Sequence, residues 1–191
     1  MPDLRKAGGV CGIAIPAVAF TAILTSIALS PWFSWNSNAL SDLGNYSRSG
    51  AAVIFNTGIL ISGAMTVIFG LGVLRELSKS KLGKAGSLAL TAAGAALACI
   101  GIFSEDAGAI HFYVSVAFFS LFPISLLILG PAMILRGSGG LGAFSISIAV
   151  LAALPWAFSW RGVAIPETIS AAFASVWGLT IGTKMLKSRN I

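Results

Sequence analysis

Long apolar runs separated by short polar stretches make up most of this chain. They cover about residues 9–29, 51–74, 86–103, 110–135, 141–158 and 168–185, each near the roughly 20 residues that a helix needs to cross the hydrocarbon of a bilayer. The pattern predicts an all-α fold, a polytopic transmembrane bundle of six helices in a single domain over residues 1–191. Asp3, Arg5 and Lys6 precede the first run as charges precede a signal peptide. That run is nevertheless long enough to span, and no clean small-residue cleavage site follows it. Pro16 predicts a kink within it, Pro123 and Pro131 fall inside the fourth run, and Pro155 interrupts the fifth. Trp32 and Trp35 after the first run, and Trp160 after the fifth, mark the membrane surface, where tryptophan is enriched. The second run carries Gly58, Gly63, Gly70 and Gly72, and the third is mostly alanine, glycine and leucine. Side chains this small let helices approach closely, which predicts interior positions for both.

Composition agrees, with 57% hydrophobic and 9% charged residues, against about a quarter charged in soluble domains. The formal net charge of +6 would suggest a nucleic-acid partner until the charges are sorted by loop. With both termini cytoplasmic, Arg5, Lys6, Arg75, Lys79, Lys81, Lys84, Arg136, Lys184, Lys187 and Arg189 lie inside, and only Arg48 and Arg161 outside. Topology and attraction to anionic headgroups then account for the charge, so no nucleic-acid partner is expected. The expected location is the cell membrane, with membrane lipids as partners. Cys11 and Cys99 fall near opposite ends of their helices, too far apart in depth for the roughly 7 Å between Cα atoms that a disulfide requires. Neither has metal-motif spacing, and neither metal nor cofactor is expected.

The candidate chemistry lies on the other side. Residues 102–113 place Glu105, Asp106 and the single histidine, His111, between two apolar runs. The outer loops also collect Asp42 and Glu167. Each outer loop delivers an acid before the next helix, at Asp42, at Glu105 and Asp106, and at Glu167, as three helical hairpins related by duplication would. Helix capping is the plain explanation: Ser104 with Glu105 and Asp106 reads as an N-cap and first turn, and Pro166 with Glu167 as a proline at N1. Asp42 stands too far before the second run to be assigned as its cap, and reads as loop solvation. A fourth helix starting near Ser104 would put His111 about two turns in, where an ionisable group must face the interior and find a partner. Asp106, Glu105, Asp42, Asn56 and Ser115 are the candidates. Asn45-Tyr46-Ser47 has the glycosylation pattern, which matters only if the host glycosylates.

Leu40-Ser41-Asp42-Leu43-Gly44, Phe55-Asn56-Thr57-Gly58 and Gly101-Ile102-Phe103-Ser104-Glu105-Asp106 with His111 resemble the DUF998 family of prokaryotic six-span membrane proteins. Members often carry proline where Ser104 stands. The family has no established activity, and the resemblance implies that Ser41, Asp42, Asn56, Asp106 and His111 form one site. The first functional expectation is a polar pocket of Ser41, Asp42, Asn56, Glu105, Asp106, His111, Arg161 and Glu167 at the outer helix ends, binding a lipid headgroup or small polar ligand. A second is a membrane-embedded lipid hydrolase or isomerase with His111 as general base and Asp106 or Asp42 orienting it. Ser41 or Ser104 would then be the nucleophile, or water the attacker. Zinc is disfavoured because one histidine would leave the remaining ligands to carboxylates. A proton-coupled carrier lacks a relay through the inner halves of the spans, and a structural or partner-binding role would use the glycine-rich second and third helices.

Overall fold

The computed structural model describes residues 3–187. Six helices follow one another: α1 (Leu4–Ala28), α2 (Ala52–Glu76), α3 (Lys81–Ile102), α4 (Ala109–Leu135), α5 (Gly139–Ala153) and α6 (Ala164–Lys187). Short 3-10 turns lie at Leu40–Gly44, Glu105–Ala107 and Leu154–Ala157, the last continuing α5, and there is no strand among the described residues. All six helices, α5 with its added turn, are long and apolar enough to cross a membrane. Arg189, assigned above to the inner charge cluster, lies outside the described residues.

Helix starts follow local chemistry. Asp3 accepts from the Arg5 and Lys6 amides and caps α1. Ser80 Oγ accepts from the Gly83 amide at 3.1 Å, so α3 begins at Lys81, ahead of the apolar run, and takes Lys81 and Lys84 into its first turn. Gly108 has φ +62°, a backbone state that side chains with a Cβ rarely adopt. It separates the Glu105–Ala107 turn from α4, which therefore starts at Ala109 rather than near Ser104. Two expectations change in consequence. His111 sits in the first turn of α4 instead of two turns in, and Ser104 makes no capping bond, its hydroxyl lying 3.3 Å from an Asp106 oxygen. α6 likewise begins at Ala164, whose amide donates to the Asn38 carbonyl at 2.9 Å, so Pro166 is inside the first turn and not at N1.

Each helix packs on the next, and α1 packs on α6, closing the bundle into a ring. The ring is uneven. α1, α2, α3 and α4 meet extensively, α5 meets α6 sparsely, and α4 and α6 scarcely meet. Between α2 and α3 the approach is so close that a Cβ on Gly63 would collide with the Ala98 backbone, the geometry that small residues permit where lipid supplies no hydrophobic drive for association. The largest core cluster centres on Trp177, fully buried, tilted against Phe69 at 5.4 Å and edge-on to Phe122 at 6.2 Å between ring centroids. Its Nε1–H donates to Ser145 Oγ at 2.9 Å, which satisfies the indole within the apolar interior. A second cluster places Leu40 and Leu43, from the turn between α1 and α2, against Ile23, Phe55, Ile59 and Ile100. These two leucines plug one end of the bundle.

Candidate functional site

The polar end of the bundle is built around residues 29–51. Asn56 Nδ2 donates to the Gly44 carbonyl at 2.8 Å and fixes the Leu40–Gly44 turn to α2. Asn38 Nδ2 donates to Asp42 at 2.5 Å, and the Ala39 amide donates to the same carboxylate oxygen at 3.2 Å. Asp42 is thus the organiser of its own turn, with Arg48 3.8 Å from its second oxygen. Arg48 in turn stacks over the Trp32 ring, 5.1 Å from the centroid. Simple loop solvation does not describe Asp42.

Two further acids join this loop to distant elements. Asn45 Nδ2 donates to Glu105, while the Tyr46 amide and Ser47 Oγ donate to Asp106 at 2.6 and 3.1 Å. Neither carboxylate caps α4 in the way the Ser-Glu-Asp order suggested; both staple the loop between α3 and α4 to the loop between α1 and α2. The exposed Asp106 carboxyl is held below its ordinary value, chiefly because the Tyr46 amide stabilises the anion. The Asn45 side chain is buried and committed to Glu105, so in this fold it is not presented as a glycosylation acceptor. Glu167 differs again. It is 8% exposed, and its carboxylate accepts from the Leu40 amide at 2.6 Å across 127 residues of chain. The first-turn capping expected of it is replaced by a strut between α6 and the Leu40–Gly44 turn.

His111 is 7% exposed, and its Nδ1 lies 2.7 Å from the Phe103 carbonyl. A carbonyl only accepts, so Nδ1 carries the hydrogen. Nε2 is buried without a partner. None of the partners considered from the sequence is used: the ring is tethered to the chain immediately before it.

A cavity of 620 Å³ opens among α4, the end of α5, the start of α6 and the Leu40–Gly44 turn. Ser41, Asp42, Glu105, His111 and Glu167 line it, beside Ser115, Phe119 and Trp156. Five of the sequence-proposed site residues are therefore brought together, and three are not in the lining. Asn56 is turned to Gly44, Asp106 is an exposed staple, and Arg161 is exposed on the segment before α6. A second, inner cavity of 120 Å³ adjoins the first between the helices, sharing Ser41, Ser115, Phe119 and Glu167, with mainly apolar walls that include Ile15, Phe69 and Trp177. Sequence reasoning missed Asn38 and Asn45 as organisers. It also missed Trp156, which lines the cavity and whose Nε1–H donates to Ser170 Oγ. The two asparagines flanking Asp42 in residues 38–45 were the available signal.

Residues 13–184 match the family model described as "Protein of unknown function (DUF998)", and the chain belongs to that family. It is a multi-pass membrane protein. No curated protein and no solved structure matches it.

Proposed function

For this member of the DUF998 family we propose a ligand-binding role in the cell membrane: the cavity lined by Asp42, Glu105, His111 and Glu167 receives a lipid headgroup or small polar ligand. Charge supports an orientation with both termini cytoplasmic and this cavity at the outer ends of the helices, since the basic residues gather at the opposite end. The observation that carries the reading is His111, buried on the cavity wall with one ring nitrogen tethered and the other unpartnered. A buried acceptor without a donor costs about 1–3 kcal/mol, and a ligand donor would supply what is missing. Membrane-buried ionisable groups are costly in themselves and mark functional sites.

Native mass spectrometry of the gently purified protein tests this. A defined ligand is expected on the wild type and lost from the Asp42→Asn, His111→Ala double variant, with both proteins folded by circular dichroism. Identical, nonspecific lipid on both would reject the reading.

The same histidine geometry favours a second reading, a lipid hydrolase or isomerase. Nδ1–H held by a carbonyl leaves Nε2 as the proton acceptor that a general base requires, on a wall shared with Ser41 and Ser115. A lipid product formed by wild type and absent with His111→Ala is its test.

A further inference from the structure

The two cavities differ in chemistry and share a wall. The outer lining holds three carboxyl groups, from Asp42, Glu105 and Glu167, and contains no lysine or arginine. Arg48 approaches Asp42 only from outside the lining, and Arg161 is not part of it. The polar wall is thus rich in acceptors, relieved only by the hydroxyls of Ser41, Ser115 and Ser120. An anionic head would meet like charge in a low-dielectric site; an ammonium would meet opposite charge and give hydrogens to atoms that can only receive them.

Below Glu167 the chemistry turns apolar. The inner cavity, at 120 Å³, compares with the roughly 150 Å³ apolar voids that stay dry and accept a benzene-sized hydrocarbon. That is room for the end of an alkyl chain. The outer cavity is lined by α4 and the start of α6, two helices that scarcely meet.

We propose that the ligand is an amphiphile with a cationic, hydrogen-donating head and a single apolar chain, the head among Asp42, Glu105, Glu167 and His111 and the chain end beside Trp177 in the inner cavity. This rests on reading the outer cavity as a ligand site. The shared chemistry is the ammonium head. Its source is either an amine-bearing membrane lipid or a free long-chain amine.

The test uses wild-type protein in phosphatidylcholine nanodiscs with dodecylamine carrying a photoreactive diazirine at the chain end. Adducts are expected on inner-cavity residues such as Ile15, Ala171 and Ala174. Unlabelled dodecylamine should suppress them far better than dodecanol or dodecyl phosphate. Glu105→Gln, which keeps an acceptor for the Asn45 side chain, should weaken the amine about tenfold through loss of a charge-assisted bond. Suppression by added phosphatidylethanolamine would support the class and assign the head to a membrane lipid; suppression by dodecylamine alone would support it as a free amine. Equal competition by all three head types, or preference for phosphate, overturns the cationic class while cavity adducts still uphold the ligand site. Adducts confined to exposed Ile110 and Tyr113, outside both linings, overturn the chain placement. If the double variant described above also retains the same lipids as wild type, both readings fall together.

Discussion

The two ends of the bundle carry charge in opposite ways. At the end holding the N-terminus of α1, the connections are short, residues 77–80 and 136–138, and among the described residues one ion pair joins helices: Arg5 Nε to Glu76 at 2.5 Å, with Glu76 largely buried. At the other end, residues 29–51 form a cap held by four acids, its own Asp42 and three from other segments. Asp42 holds its own turn, Glu105 and Asp106 hold one loop to another, and Glu167 holds α6 to the Leu40 amide. The basic end thus pins two helices with an ion pair, while the acidic end is a network wrapped around a cavity. Charge count alone does not separate a solvated rim from a built site; partners do.

The largest effect is expected at the ion pair. Arg5→Ala leaves the Glu76 carboxylate without its partner and should cost about 3 kcal/mol, at the lower end for broken buried pairs because Arg5 keeps solvent contact. Thermal unfolding in detergent should show the loss, and Glu76→Gln in the Arg5→Ala background should recover part of it. An unchanged midpoint would mean that the basic end is no more than a solvated rim. Next comes Glu167→Ala, which strands the buried Leu40 amide and should cost about 2 kcal/mol, whereas Glu167→Gln retains an acceptor and should cost less than half of that. Equal losses for both variants would show that the carboxylate's charge, rather than its acceptor role, matters to the cap.

Asp106 sharpens the contrast through pH. Its folded pKa is depressed, so the staple is fully present above the unfolded value near 3.8 and is lost as pH falls through the lower folded value. Hydrogen exchange at the Tyr46 amide, corrected for intrinsic rate, should lose protection in that acidic window in wild type, and Asp106→Asn should flatten the dependence. Protection that ignores pH would remove the staple. Smallest of all is Arg161→Ala. It is exposed and outside the cavity lining, and its change should stay within about 0.5 kcal/mol and leave ligand retention as in wild type. A loss of ligand would return Arg161 to the site.

The candidate site was partly legible. Ser41, Asp42, Glu105, His111 and Glu167 stand out in sequence because ionisable or polar groups at the ends of apolar runs are few. Their roles did not follow. A carboxylate after serine or proline has the same local pattern whether it caps its own helix or, like Glu167, reaches an amide far away in the chain.

The sequence by itself determined six helices, their order and the segregation of charge to two ends, because hydrophobic run length and the need to satisfy backbone groups within each span are properties of single segments. Tertiary structure alone decided the rest. A positive φ at Gly108 moved the start of α4 and so the depth of His111, and ring closure through α1 and α6 brought residues 29–51 over the bundle mouth. Sparse packing between α5 and α6 accompanies the cavity beside α4. Each of these depends on which side chains meet across long separations, and no local pattern encodes that.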